Sequence, residues 1–238
     1  MSSFSSKQFN MSYPNNIDCH YWTVARNKIL CNELKKINFS GLALDVGCGR
    51  GVDVQKFRAA GFDFYGAEVG NPEPYFPNYE EILYYGQDSF DLNEDFRKEV
   101  EVLSFLDVLE HIKDPKTFLQ KHFEYFPNAK WIIATVPARQ ELFSNYDTCF
   151  GHYKRYNLAC CASLFSKNKI LSIQYFFHLL YFPALFFKIF GIKRNTTISP
   201  PSKHIQKIHN FISKYFIYEA KFFPKKFVGS SILCVVKI

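Results

Sequence analysis

An apolar stretch, Gly41–Val46, runs straight into a turn with glycines at 47, 49 and 51, inside the run LDVGCGRG from Leu44 to Gly51. No other feature of the 238-residue chain limits its fold so tightly. A strand that ends in a glycine turn and restarts as a helix leaves bare backbone against which a ligand can press. Glycine also tolerates the dihedrals such a turn requires. A second apolar stretch, Phe62–Ala67, ends at Glu68, 17 positions beyond Gly51. A doubly wound α/β fold places there the carboxylate that accepts hydrogen bonds from a ribose. The spacing Gly47-x-Gly49-x-Gly51 is not the dinucleotide pattern Gly-x-Gly-x-x-Gly, and Asp45 ahead of the turn favours a cationic ligand end over a pyrophosphate.

The alternation continues along the chain. Ile17–Ile37 places Trp22, Ala25, Ile29, Leu30, Leu34 and Ile37 near helical spacing. Asp53–Ala60 is the helix after the turn, stopped by Gly61. Ile82–Tyr85 reads as a third strand, Val100–Phe105 as a fourth that is apolar enough for burial on both faces, and Lys130–Val136 as a fifth. Pro115–Phe126 is a helix with Asp114 as its cap. Beyond Pro137 the pattern loosens. Ala138–Asn157 is polar and aromatic, suited to cover a site; Leu158–Asn168, Phe182–Phe190 and His204–Tyr218 read as helices; Ile170–Phe177 and Ser231–Ile238 read as strands; Asn195–Lys203 reads as a polar loop. These elements specify an α/β fold: a doubly wound, seven-stranded, mostly parallel sheet with its site at the carboxyl ends of the strands. Residues 1–16 read as a flexible tail and 17–238 as one domain, in which 138–230 form a helical, aromatic-rich insertion over the substrate.

The run LDVGCGRG and the acid at Glu68 resemble motif I and the second-strand acid of the class I S-adenosylmethionine (SAM) methyltransferases. The resemblance implies a Rossmann-like fold and SAM as cofactor, with S-adenosylhomocysteine as product. It implies a SAM-binding set of Asp45, Gly47, Cys48, Gly49, Gly51, Glu68, Asp88 and Asp107. Cys48 reads otherwise as a small residue facing ligand or core, and Asp88 as an exposed turn aspartate. LEHIKDP, Leu109–Pro115, is similar to the fourth-strand signature of the ubiquinone-methyltransferase-like group. Position puts Glu110 and His111 at the cleft floor, where His111 is a candidate base or a brace for the loop. A third stretch, from Ser144-Asn-Tyr-Asp147 to Gly151-His-Tyr-Lys-Arg-Tyr156, resembles a bacterial subgroup linked to cell-surface glycan or lipid synthesis, as does HYWTVAR, His20–Arg26. Binding SAM does not require Asp147, His152 or Arg155, so these fall to the substrate side. Asp147 and His152 can form a base with its orienting carboxylate, and Arg155 with Tyr156 a binding edge for phosphate or carboxylate. A buried structural lock of the same three polar residues stands as the alternative.

The net charge is +7, and basic residues thicken after residue 150, where Glu219 is the only acid. That asymmetry suits an anionic acceptor or a phospholipid surface. Seven cysteines show no Cys-x-x-Cys and no paired Cys/His spacing, so they read as reduced thiols of a cytoplasmic protein, and no metal site is expected. Leu171–Ile192 approaches membrane-spanning length but is interrupted by Gln174, His178, Pro183 and Lys188. It reads as a buried strand and an amphipathic helix, or, over 171–194, as a helix lying on the inner membrane face. The function implied is SAM-dependent methylation, with oxygen of a small molecule, sugar or lipid-linked glycan as acceptor. Two rivals are a non-catalytic SAM-fold module in a surface-polysaccharide assembly and a nucleic-acid methyltransferase. The second is disfavoured because Leu106-Asp-Val-Leu109 stands where base-modifying enzymes often carry Asn/Asp-Pro-Pro-Tyr/Phe. A nicotinamide-dependent oxidoreductase is disfavoured by the glycine spacing.

Overall fold

A computed structural model describes residues 4–79, 81–199, 201–202 and 204–238. Seven strands form one sheet: β1 (Leu42–Val46), β2 (Asp63–Glu68), β3 (Leu83–Tyr85), β4 (Val100–Leu106), β5 (Trp131–Pro137), β6 (Lys169–Phe176) and β7 (Ser231–Lys237). Their order across the sheet is β3-β2-β1-β4-β5-β7-β6. β7 runs antiparallel to both β5 and β6, and the other pairings are parallel. The order reverses between β1 and β4, so the crevice beyond their carboxyl ends is a topological switch point, where such folds bind ligands. β1, β4 and β5 sit centrally, and Ala43, Leu44, Val102, Leu103, Ile132 and Ala134 are wholly buried. Their near-continuous apolar runs reflect helices covering both sheet faces.

Nine α-helices pack around the sheet among the described residues: α1 (Ser6–Ser12), α2 (Tyr21–Lys36), α3 (Val52–Ala59), α4 (Glu94–Glu99), α5 (Pro115–Tyr125), α6 (Asn145–Phe150), α7 (Leu158–Leu164), α8 (His178–Ile189) and α9 (Gln206–Phe222). Several differ from the sequence reading. The expected flexible tail is instead folded over residues 6–12. Ser5 and Gln8 form a capping box at the start of α1, and Phe9 is buried. Met1–Ser3 lie outside the described residues. The predicted helix over 17–37 begins only at Tyr21, because Asn16 turns left-handed and a short 3-10 turn intervenes. α4, which the sequence reading omitted, is nucleated by Asn93, whose side chain accepts from the Asp95 and Phe96 amides.

α8 starts four residues earlier than the expected Phe182, at His178. Its cap comes from elsewhere in the chain. The carboxylate of Glu219, wholly buried in α9, accepts from the His178 amide at 2.6 Å and the Leu179 amide at 3.0 Å. Two otherwise orphaned N–H groups and the positive end of the helix dipole meet one anion. The last strand of the predicted 170–177 segment closes at Phe176, and Phe177 takes left-handed dihedrals to enter α8. The polar loop expected over 195–203 is irregular through Ser199, with Pro200 and Lys203 outside the described residues.

Candidate functional site

A cavity of about 770 Å³ opens at the switch point. Its lining joins the glycine turn, the ends of β2 and β4, α1, α2, the 146–155 segment and the inner face of α8. Gly47 and Glu68 form one end of it. The Gly47 and Cys48 amides donate to the Ala67 carbonyl at 2.8 and 3.1 Å, pinning the turn against β2. The Glu68 carboxylate accepts from the Gly49 amide at 3.1 Å and the Gly70 amide at 2.9 Å. Burial raises its pKa, and those two amides oppose the rise. Gly49 has φ +55, and a Cβ there would lie 2.1 Å from the Tyr13 hydroxyl. The bare turn is therefore closely approached by the segment that follows α1. Burial pushes the Tyr13 hydroxyl well above its ordinary pKa. Phe4 and Phe9 also line the cavity, and Gln8 ties α1 to the Cys149 carbonyl at 3.1 Å.

Beside the turn, Arg26 of α2 links two carboxylates. One nitrogen bonds Asp53 at the start of α3, and the other bonds Asp107 just past β4. Asn27 adds a 2.8 Å bond to Asp53, and Trp22 lies under the guanidinium at 4.4 Å. Burial opposes the Arg26 charge, but Asp53 and then Asp107 more than compensate and raise its pKa. Asp107 itself has φ +58, a strained conformation for a non-glycine residue that turns its carboxylate toward α2.

The same cavity is also lined by Glu110, His111 and His152. The His111 and His152 rings meet edge to face at 4.7 Å, and Phe4 packs against His111 at 5.2 Å. Burial, then the neighbouring His152, lowers the His111 pKa to about 4, so its ring is neutral at pH 7. His152 Nδ1 lies 2.9 Å from Asp147 Oδ1. Asp147 is wholly enclosed and also takes Arg155 Nε at 2.8 Å, Arg155 Nη2 at 3.1 Å and the Ser144 amide at 2.9 Å. Burial alone would raise this carboxyl. His152 and Arg155 outweigh it and hold Asp147 far below the usual carboxylate range. An ionised Asp147 makes His152 Nδ1 the donor, which leaves Nε2 as the ring nitrogen not engaged by Asp147.

The structure thus gathers Gly47, Gly49, Glu68, Asp107, His111, His152 and Arg155 around one cavity, and sets the other candidates apart from it. The Asp45 carboxyl is buried against Ser104 Oγ at 2.6 Å, and burial lifts its pKa to about 8. It is not an exposed anion facing a cationic ligand. The Cys48 thiol turns into the core against Gly66, and burial raises its pKa well above the ordinary thiol value. Gly51 is needed for packing, since a Cβ there would meet Leu83 at 2.5 Å. Asp88 caps a short 3-10 turn by accepting from the Phe90 amide. Arg155 was expected to fork an anionic acceptor, yet its fork is spent on Asp147 and its Nη1 on the Ala138 carbonyl at 3.2 Å. Tyr156, expected at the acceptor, is enclosed with its hydroxyl on the Leu109 carbonyl at 2.8 Å. The Asp147–Arg155–Tyr156 stretch therefore locks the 138–156 segment to β5 and the LEH turn, and His152 is its cavity-lining residue with a ring nitrogen not committed to that lock.

Arg26, Asp53 and Tyr13 were missed in the sequence. Ser5-x-x-Gln8 was a readable capping signal for α1, but nothing in the spacing of Arg26 announces two carboxylates 27 and 81 residues away.

A doubly wound sheet with β7 inserted antiparallel, a glycine turn after β1 and an acid after β2 define a class I SAM-dependent methyltransferase. The chain belongs to the methyltransferase domain family, whose model matches residues 25–173. No curated protein matches it. Solved structures share the fold at low identity. One is the 1,6-didemethyltoxoflavin-N1-methyltransferase of Burkholderia thailandensis with its substrate and S-adenosylhomocysteine (12% identity, 98% of this chain and 86% of that chain, TM-score 0.57). A second is the plantazolicin methyltransferase BpumL with a substrate analogue and S-adenosylhomocysteine (11%, 97% and 89%, TM-score 0.55). A third is geranyl diphosphate methyltransferase with its substrate and sinefungin (11%, 90% and 76%, TM-score 0.53).

Proposed function

We propose that this methyltransferase moves a methyl group onto an oxygen of a small molecule, sugar or lipid-linked glycan at the inner face of a membrane. The observation that carries the reading is a cavity of about 770 Å³ whose lining includes the glycine turn and Glu68 together with His111 and His152. Cavities of that size hold a cofactor and an acceptor together. The residues fit SAM: bare backbone at Gly47 admits the thioether arm, and Glu68, with one amide on each oxygen, retains lone pairs for ribose hydroxyls. When bound, SAM supplies a methyl group on a sulfonium, already electrophilic. The chain's own task is to align the acceptor and to manage its proton. His152 Nδ1 is engaged by Asp147, so Nε2 is left to receive that proton, and Phe4 and Phe9 add apolar surface to the cavity wall.

Support for a membrane-facing acceptor comes from α8 and α9. Phe182, Phe186, Phe190, Phe211, Tyr218 and Phe222 are each at least half exposed. Leu180, Pro183, Ala184 and Phe187 of the same α8 line the cavity, so the apolar face adjoins its wall. Basic residues flank these helices, and the only acid after residue 150, Glu219, is buried. No helix among the described residues is long and apolar enough to cross a membrane.

Titration with S-adenosylhomocysteine tests the cofactor end. Incubation of a lipid and glycan extract with methyl-labelled SAM, read by mass spectrometry, tests the acceptor, and label on nitrogen or on nucleic acid would refute this assignment. Co-sedimentation with anionic vesicles tests the surface, where the Phe186→Ser/Phe190→Ser variant should lose binding at unchanged S-adenosylhomocysteine affinity.

A further inference from the structure

Contrary to the expectation of no metal site, the fold brings one ligand atom each from Glu110, His111 and His152 within 4.8 Å of one another. We infer that these three side chains form a binding site for a first-row divalent metal ion at the acceptor end of the cavity. Three observations point the same way. The first is Glu110 Oε2, which is buried and has no hydrogen-bond partner, although its residue lines the cavity and is only 1% exposed. A buried carboxyl oxygen left without a partner is destabilising, and a cation would satisfy it. The second is the geometry of the two rings, which meet at 4.7 Å, with His152 Nδ1 committed to Asp147 at 2.9 Å so that Nε2 is the ring atom left for a ligand. The third is Asp147 itself. A carboxylate behind a histidine, holding its tautomer and ring plane, is the arrangement that supports metal-ligating imidazoles. Arg155 and Ser144 fix Asp147 in turn.

Two imidazoles and one carboxylate suit zinc, iron, cobalt or manganese, and leave coordination positions open to a further ligand. Ligands about 2.1 Å from one ion stand roughly 3 Å apart, so separations of up to 4.8 Å among the three groups need to close by up to about 2 Å on binding. The open positions face the cavity, where they would take an acceptor oxygen and lower its pKa. His152 is then a ligand, and the acceptor's proton leaves to solvent. This use of the ion rests on the methyl-transfer reading, whereas binding of the ion does not.

The full-length chain, stripped of metal, is titrated with Co(II) and followed by its visible d–d absorption, alongside thermal melting. One Co(II) per chain is expected, with a melting temperature that climbs with added metal. Glu110→Gln and His152→Ala should each weaken binding at least tenfold, and Asp147→Asn about 10–100-fold. Glu110→Gln keeps the side chain's shape while removing the ligating carboxyl, so a metal-free melting temperature near that of wild type separates lost ligation from lost folding. His209→Ala, outside the cluster, should bind Co(II) as wild type does. Absence of stoichiometric binding, or binding that survives both Glu110→Gln and His152→Ala, overturns the site. S-adenosylhomocysteine titration of the same samples reports separately on the methyltransferase assignment. Loss there with Co(II) retained would sink that assignment and leave the metal site standing.

Discussion

Replacing Arg26 by Met removes the one cation shared by Asp53 and Asp107 while keeping most of the side-chain volume. Deleting one partner of a buried ion pair costs about 3–5 kcal/mol, mostly through the charge left behind. The surroundings place this site near the low end. The Asp107 side chain is 28% exposed and can take up water. Asp53 is only 8% exposed, but it keeps the 2.8 Å bond from Asn27 and stands in the first turn of α3, where the helix dipole favours a negative charge. A loss of about 3 kcal/mol follows, which for a chain of this length lowers the melting temperature by about 6–12 °C. Adding Asp53→Asn should return about 1 kcal/mol or more, since Asn keeps the bond to Asn27 and removes the stranded charge. Urea unfolding of wild type, both single variants and the double variant measures the coupling. An Arg26→Met protein that melts within about 2 °C of wild type, or a double variant weaker than the sum of its parts, would refute this account. Arg26→Lys is a poor rescue, because one ammonium nitrogen must replace two guanidinium nitrogens that each hold a different carboxylate.

Three further outcomes are expected. Gly49→Val places a branched side chain at φ +55 and against Tyr13, so S-adenosylhomocysteine binding measured by calorimetry should disappear; unchanged affinity would remove the turn from the cofactor site. Glu219→Gln exchanges a charge-assisted cap on α8 for a neutral amide that accepts from one N–H, and should cost about 1–3 kcal/mol in urea melts, with no loss refuting the cap. Asp45 is an acid whose folded pKa is raised to about 8, so wild-type stability should fall as pH climbs from near the ordinary aspartate value to about 8. Asp45→Asn should flatten that slope, and identical pH profiles for the two proteins would contradict the burial argument.

The sheet was legible because its signals are dense. Val100–Leu106 and Trp131–Pro137 are nearly unbroken apolar strands, and the turn at 47–51 with Glu68 fixes how β1 and β2 meet. The antiparallel insertion of β7 beside β5 was not legible in the residues, since an apolar segment such as SILCVVKI carries no record of its neighbours. α1 escaped notice because seven residues with one buried Phe produce almost no periodic signal, although its capping box was present. At the site, single residues misled where burial decides role. Asp45, Cys48 and Tyr156 look like ligand contacts by position, yet their side chains are enclosed. Conversely, Glu110, His111 and His152 come together across a separation of about forty residues that no local pattern encodes.

The strand order also constrains how the molecule is made. β6 pairs with no strand but β7 among the described residues, and β7 alone joins it to β5. During synthesis residues 169–176 must wait for residues 231–237, more than fifty positions later, before they enter the sheet. Until then β5 offers an open hydrogen-bonding edge to any passing strand. Nascent chains of this protein should therefore need chaperone protection late in translation, and the long-range closure of β7 should set the slow phase of refolding.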